Sequence, residues 1–300
     1  MQSLGRFKNN NLYIKRDDLL PFSFGGNKAR KAIYFLEDIK NKKANCIITY
    51  GSNSSNHCRI IANMAASMKM KCIIISPEED DESTFNLQML DCFGAESIRC
   101  PISNVSKTIE STIALMKDQG YIPYFIMGGG HGNLGTQAYV DCFSEILNYE
   151  CDNNVRFDYI FHASGTGTTQ AGLVCGKILN NSNTKIIGVS IARRNPKGKQ
   201  IVVDSVNEYM ASVGFTDDYS KHVEFIDDYV LEGYGKYNSE IDETIQTVLT
   251  DYGIPLNRTY TGKAFWGMGK FLEKENIENK NILFVHTGGT PLFFDYLRGT

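Results

Sequence analysis

A lysine follows a pair of glycines in the stretch Phe24-Gly25-Gly26-Asn27-Lys28-Ala29-Arg30-Lys31. Glycines let the chain turn sharply and bring its backbone close to a ligand. The apolar run Ala32-Ile33-Tyr34-Phe35-Leu36 reads as one face of a helix, so Lys28 stands at a helix mouth. An amine held there is partly desolvated and its pKa falls, which a Schiff-base lysine requires. Alone, the segment reads better as a C-cap turn before a basic helix. Its meaning depends on the other polar turns of the chain.

Four of these turns follow apolar, β-rich runs. Ser164-Gly165-Thr166-Gly167-Thr168-Thr169 lies between a strand and a helix. Backbone N–H groups of such a turn, with the helix N-terminus and the threonine hydroxyls, form an anion cradle. The turn has no Walker lysine and is not G-x-G-x-x-G, so a single phosphate suits it better than a nucleotide tail. Gly51-Ser52-Asn53-Ser54-Ser55-Asn56-His57 follows a strand and opens a helix. Serine or asparagine there serves as an N-cap, or Asn56 donates to a phenolic oxygen while Ser55 and the helix N-terminus hold a carboxylate. Gly128-Gly129-Gly130-His131-Gly132 and Thr287-Gly288-Gly289-Thr290 are similar turns. Tyr260-Thr261-Gly262-Lys263 opens a further helix, where a tyrosine either packs or acts as acid or base. A phosphate, a phenolic oxygen, a ring nitrogen and an aldehyde are the polar handles of pyridoxal phosphate. The chain offers a partner for each, and the cofactor would serve as electron sink.

The elements that position these turns alternate. Strands are expected at residues 45–50, 71–76, 96–100, 124–127, 157–162, 184–191 and 281–286. Helices are expected near 57–68, 84–93, 105–119, 134–147, 170–179, 200–213, 239–251 and 263–274. The polar patch 148–154 reads as a break, and 217–236 is less regular. This rhythm predicts an α/β fold of parallel β-α-β units, with sites at the carboxyl ends of strands.

Composition narrows the function classes. The chain has 300 residues, 42% hydrophobic and 22% charged, enough for a large core and two lobes. A net charge of -3 gives no reason to expect nucleic acid or an anionic membrane as partner. The eight cysteines form no C-x-x-C and no zinc spacing, and read as reduced thiols. No signal-like segment and no membrane-length apolar run is apparent, so a cytoplasmic location is expected. Metal sites are not expected. The acidic stretch Glu78 to Glu82 reads as a solvated loop.

Together, Tyr13-Ile14-Lys15-Arg16-Asp17-Asp18, Gly25-Gly26-Asn27-Lys28-Ala29-Arg30-Lys31, Ser55-Asn56-His57, Tyr260-Thr261-Gly262-Lys263-Ala264 and His286-Thr287-Gly288-Gly289 resemble the D-cysteine desulfhydrase and 1-aminocyclopropane-1-carboxylate deaminase family. The resemblance runs from about Leu12 to the C-terminus. It implies a two-domain fold type II pyridoxal-phosphate enzyme of the tryptophan-synthase-β-like fold, each domain an open, mostly parallel sheet with helices on both faces. Residues 1–34 and 139–300 would form the larger cofactor domain, and 35–138 a smaller α/β domain closing over the substrate. A homodimer is usual in the family.

Residue by residue, the resemblance makes Lys28 the Schiff-base lysine and a mover of protons. Asn56 would bond the phenolic oxygen, and Gly165, Thr166, Gly167, Thr168 and Thr169 would hold the phosphate. Ser55 would contact the substrate carboxylate, with Ser54, His57 and His131 on the substrate side. Tyr234 and Tyr260 would line that side too, with Ser55 among the catalytic groups. Lys15, Arg16, Arg30 and Lys31 read as structural. The deaminases carry a glutamate after the tyrosine and a leucine before the last Gly-Gly. Thr261 and Thr287 stand here, as in the desulfhydrases, and both are expected near the cofactor. A hydroxyl cannot keep the ring nitrogen protonated as a carboxylate would, which suits elimination better than ring opening. The chain departs from the pattern in its short N-terminus, in the shortened segment after Ile75, in Ser54 where the family has glutamine, and in Gly129-Gly130-His131-Gly132-Asn133.

The expected reaction is α,β-elimination from a small amino acid, releasing a keto acid, ammonia and a leaving group such as sulfide. Deamination, β-replacement or racemisation on the same cofactor are alternatives. A non-catalytic pyridoxal-phosphate-binding protein is a third, against which the retained lysine argues.

Overall fold

The computed structural model describes residues 1–79 and 83–298. The chain opens on a hairpin, β1 (Gln2–Phe7) and β2 (Asn10–Arg16), and enters helix α1 (Asn27–Asn41) through the Gly25-Gly26 turn. Next come β3 (Cys46–Tyr50), α2 (Asn56–Ser67), β4 (Lys71–Pro77), α3 (Phe85–Cys92), β5 (Glu96–Cys100), α4 (Val105–Asp118) and β6 (Pro123–Phe125). Then follow α5 (Asn133–Asn153), β7 (Tyr159–Ser164), α6 (Thr168–Leu179), β8 (Lys185–Ser190), α7 (Lys197–Ser212) and β9 (Glu224–Ile226). The chain closes with α8 (Ser239–Tyr252), α9 (Thr261–Lys274), β10 (Asn281–His286) and α10 (Thr290–Arg298).

These strands form two sheets. The larger has the order β1-β2-β10-β7-β8-β9, the smaller β5-β4-β3-β6. Every pairing is parallel except β1 with β2. Strands buried on both faces read as continuous apolar runs. In β3 and β4 the segments Cys46–Ile48 and Cys72–Ile75 are buried, and in β10 Ile282–Val285. One face of the larger sheet packs residues of α5, α6 and α7, among them Tyr139, Phe143 and Val206. The other face packs α8, α9 and α10 through Ile245, Phe265 and Phe293. Residues of α1, α2 and α3 cover one face of the smaller sheet, and Met116 of α4 packs on the other.

Three local differences from the sequence expectation have physical causes. The hairpin strand β1 is mostly exposed, so it has no apolar signal to reveal it. The patch 148–154 is no break, because α5 runs on to Asn153 and ends at Asn154 in the left-handed conformation. Its Glu150 is buried and accepts the Phe157 N–H at 2.6 Å, so a polar residue faces inward there. Short β9 falls inside the irregular stretch and pairs with β8. Of the acidic segment, Glu78 and Glu79 form an exposed turn, and residues 80–82 lie outside the described residues.

Candidate active site

The carboxyl ends of strands from both sheets face one cavity of about 430 Å³. Its walls come from the turns after β3, β6, β7, β8 and β10, with the start of α1 and the tyrosines Tyr234 and Tyr260. Open parallel sheets place ligands at this end.

Lys28 reaches the cavity because of its approach turn. Gly26 has φ +95°, and a Cβ there would lie 2.8 Å from the Thr287 carbonyl oxygen. Only glycine lets α1 begin against the turn that follows β10. The Gly26 N–H donates to the Asp17 carbonyl at 2.7 Å, and the Asn27 N–H to that of Thr287 at 2.9 Å. The Lys28 Nζ donates to the carbonyl of Gly129 at 3.0 Å, and no carboxylate pairs with it among the described residues. Desolvation alone lowers its pKa to about 8. The N-terminal end of α1 adds positive potential in the same direction.

The turn at 164–169 offers donors with little competition. Helix α6 begins at Thr168 with Gly167 as its N-cap, at φ +94° and with no capping side chain. Its first N–H groups are therefore available to an anion. Gly165, Thr166, Gly167 and Thr169 line the cavity. The Asn27 amide donates to Thr169 Oγ1 at 3.0 Å, linking this turn to the residue before Lys28. Arg193, after β8, also lines the cavity and donates to the Gly165 carbonyl.

The start of α2 forms another part of the wall. The Ser55 hydroxyl oxygen caps this helix by accepting the Cys58 N–H at 3.2 Å, which leaves its own proton free to donate. Asn56 lines the cavity beside it. His57 is buried, and its Nε2 lies 2.8 Å from Thr49 Oγ1. The Thr49 proton is directed at the Ile126 carbonyl, so His57 Nε2 donates and Nδ1 is unprotonated. Burial, then the neighbouring Lys28 and Lys31, hold this imidazole neutral.

Tyr234 and Tyr260 meet edge to face with their hydroxyls 2.6 Å apart. Ser54 Oγ is 3.2 Å from the Tyr234 hydroxyl. Burial and the neighbouring Tyr234 raise the Tyr260 pKa well above 10, so it stays a protonated donor. Lys263 donates to the carbonyls of Val230 at 3.1 Å and Gly233 at 2.9 Å, pinning the loop that carries Tyr234.

Eleven of the fifteen residues named from sequence line this one cavity: Lys28, Ser55, Asn56, His57, Gly165, Thr166, Gly167, Thr169, Tyr234, Tyr260 and Thr287. Four stand behind its wall. Thr168 Oγ1 and His131 Nδ1 pair with each other at 2.9 Å. Thr261 Oγ1 accepts from the backbone and side-chain N–H groups of Asn257, at 3.1 and 3.0 Å. Ser54 reaches the cavity only through the Tyr234 hydroxyl. Asn27, Tyr50, Gly128, Gly129 and Arg193 line the cavity and were not named. Asn27 sits inside the Gly-Gly-Asn-Lys signature, and the Gly128-Gly129 turn was visible as a strand-end turn. Arg193 and Tyr50 carry no local signal. Lys31, read as structural, is buried with its amine 3.4 Å from the Gly129 carbonyl.

The residues present fit pyridoxal phosphate. A buried amine without an acidic partner suits its aldehyde, an uncapped helix start with hydroxyls suits its phosphate, and the Asn56 amide suits its phenolic oxygen. Among the described residues no carboxylate lines the cavity. Its formal cations, Lys28 and Arg193, complement an anionic cofactor.

The comparisons agree with this geometry. A family described as "Pyridoxal-phosphate dependent enzyme" matches residues 1–288. A D-cysteine desulfhydrase of Yersinia enterocolitica is 31% identical, the match covering 99% of this chain and 92% of that protein. A D-cysteine desulfhydrase of Serratia proteamaculans is 30% identical, covering 99% and 92%. A solved structure described as an ACC deaminase homologue superposes with a TM-score of 0.90 at 31% identity, covering 99% of this chain and 91% of that one.

Proposed function

The chain belongs to the pyridoxal-phosphate dependent enzymes, and from that premise we propose that it is a lyase that eliminates a β-substituent from a small amino acid, in the manner of a D-cysteine desulfhydrase. The observation that carries this reading is Lys28, a depressed amine without an acidic partner among the described residues, in a cavity also lined by the anion turn at Gly165 and by Asn56 and Ser55.

When bound, pyridoxal phosphate supplies the electron sink for bonds broken at the substrate's α-carbon. In this reading the protein does the rest. Lys28 would hold the cofactor by its aldehyde, and its free amine is placed to take the substrate's α-proton at Nζ. A pKa near 8 makes the neutral amine far more available near neutrality than that of an ordinary lysine. The turn at Gly165 to Thr169, with Asn27 and Arg193, anchors the phosphate. Asn56 donates to the phenolic oxygen. The Ser55 hydroxyl and the first N–H groups of α2 orient the substrate carboxylate. Tyr260, kept protonated, stands with Tyr234 where a leaving group departs and can donate a proton to it. Thr287 also lines the cavity. Thr261 supports Asn257, whose amide also donates to the Gly288 carbonyl at 3.2 Å.

The cavity wall favours elimination over ring opening. With no carboxylate among the described lining residues to keep the ring nitrogen protonated, the electron sink would be weaker. A good leaving group on the β-carbon compensates for this.

We further infer that residues 35–138 close over the substrate against the domain formed by 1–34 and 139–300, because the cavity draws walls from both sheets. A cytoplasmic homodimer completes the reading. All eight cysteines are unpaired, as a reducing compartment favours. No helix among the described residues is long and apolar enough to cross a membrane.

The test is a panel of D- and L-amino acids with β-thiol, β-chloro and β-hydroxyl groups, alongside 1-aminocyclopropane-1-carboxylate. Keto acid, ammonia and α-proton exchange are scored with the cofactor-loaded enzyme. Keto acid from a β-substituted substrate is expected. Exchange without keto acid would assign a racemase, and ring opening a deaminase. Light scattering on the same sample reports the oligomeric state.

A further inference from the structure

Arg59 has fractional exposure 0% and has no carboxylate partner among the described residues. Its Nη1 donates to Asn56 Oδ1 at 2.6 Å and to Asn86 Oδ1 at 2.7 Å, while Nε and Nη2 are buried without a hydrogen-bond partner. Burying a guanidinium this way is costly, and ordinary cores avoid it. The chain does so one helical turn after Asn56, where the side chains at i and i+3 share a face of α2.

The consequence falls on Asn56. Its Oδ1 accepts from Arg59 and also from Asn86 Nδ2 at 3.1 Å. A guanidinium carries donors only, so the amide cannot rotate by half a turn without setting N–H against N–H. Nδ2 is thereby held away from Arg59, on the side of Gly289, where a Cβ would lie 3.3 Å from it. Asn86 is itself fixed by donating to the Ser54 carbonyl at 2.8 Å. A donor to Oδ1 polarises the amide and makes Nδ2–H a stronger donor. The buried positive charge lies behind this amide.

We propose that Arg59 is a positioning residue for the cofactor, locking the Asn56 amide so that Nδ2 donates to the phenolic oxygen and placing a positive charge behind that oxygen. The inference rests on the pyridoxal-phosphate reading of the cavity. A guanidinium with a pKa of about 10, lowered by burial, stays charged near neutrality and can play this part.

The test compares holoenzymes of wild type, Arg59→Gln, Arg59→Lys and Asn86→Ala. The cofactor's visible band and its dissociation constant are read by titration, with kcat and KM beside them. Arg59→Gln keeps an amide donor and loses the charge. It is expected to weaken cofactor binding by about tenfold and to shift the band. Arg59→Lys is expected to restore most of both. An Arg59→Gln protein that folds, binds cofactor within about twofold of wild type and shows the same band overturns the proposal. If neither Arg59 variant folds, Asn86→Ala decides. Several-fold weaker binding with a shifted band supports the lock, and unchanged binding and spectrum overturn it. A wild-type protein with no band on cofactor addition refutes the reading of the cavity instead.

Discussion

The amines of Lys28 and Lys31 converge on one acceptor, the carbonyl oxygen of Gly129, at 3.0 and 3.4 Å. Two ammonium groups so close in a buried wall repel. Burial and the charge of Lys28 hold the Lys31 pKa well below 10.5, so a second charge beside Lys28 is disfavoured. Lys28 lines the cavity and Lys31 does not, which makes Lys28 the proposed reactive amine of the two. Lys28→Ala is expected to lower turnover by about 10³-fold or more. Borohydride should fix cofactor to the wild-type peptide that holds residue 28 and leave the variant unlabelled. Label on Lys31 in the wild type would reverse the assignment.

The same amine sets a pH dependence of stability in the cofactor-free protein. Its pKa is about 8 when folded and 10.5 when unfolded. Between those values the unfolded chain binds more protons, so stability rises as pH increases through this window. Below pH 8 both states are protonated and the full penalty applies. Water entering the cavity screens part of it, which leaves a contribution on the order of 2 kcal/mol. Denaturant unfolding of the apoprotein at pH 7.5 and 10, set against Lys28→Met, isolates the term. Wild type should gain on Lys28→Met toward high pH, and parallel curves would remove Lys28 as its source.

Lys263 acts on the loop of Tyr234 rather than on the cavity. It is fully buried and donates to the Val230 and Gly233 carbonyls. Lys263→Met fills the space and leaves both carbonyls unpaired, at a cost of about 1–3 kcal/mol. The freed loop should let the Tyr234 hydroxyl leave Tyr260 and Ser54. KM is expected to rise by about tenfold while the cofactor band is unchanged. Tyr234→Phe should reproduce the KM effect without the loss of stability, and a double variant no worse than Tyr234→Phe in KM would place both residues on one path.

The parallel sheets were legible because strands such as Cys46–Tyr50 and Asn281–His286 are buried on both faces and show as unbroken apolar runs. Lys28 was legible as a candidate only because the other polar turns supplied the rest of one cofactor site, and it lines the cavity with them. Arg59 was hidden, since a basic residue on a helix ordinarily reads as a solvated face, and its burial follows only from Asn86 meeting Asn56 across two helices. Asn257 was hidden for a similar reason, since its bond to Gly288 joins segments that are adjacent only in the fold. Thr261 was named for its place after a tyrosine, but the fold turns its hydroxyl onto Asn257. Local patterns specify elements and turns, whereas the wall behind a cavity depends on contacts between distant segments.

Asp17 joins the fold to the site most directly. It is buried, accepts Arg30 through both oxygens at 2.9 Å and the Tyr139 hydroxyl at 2.8 Å, and its backbone carbonyl receives the Gly26 N–H. Arg30 extends the network to Glu145, which also takes Lys15. The network clamps the start of α1, and so Lys28, onto the end of β2. Desolvation opposes the Asp17 charge, but Arg30 above all holds its pKa below 3.8. Its stabilising contribution is therefore present above the unfolded value and is lost as pH falls through the folded one. Asp17→Asn leaves Arg30 half-paired and is expected to cost about 3–5 kcal/mol. It should also flatten the acid limb of stability below pH 4. Because the clamp positions Lys28, turnover of folded Asp17→Asn should fall more than its cofactor binding does. A variant as stable as wild type at pH 7, with an unchanged acid limb, would show that the α1 turn is held by its backbone bonds alone.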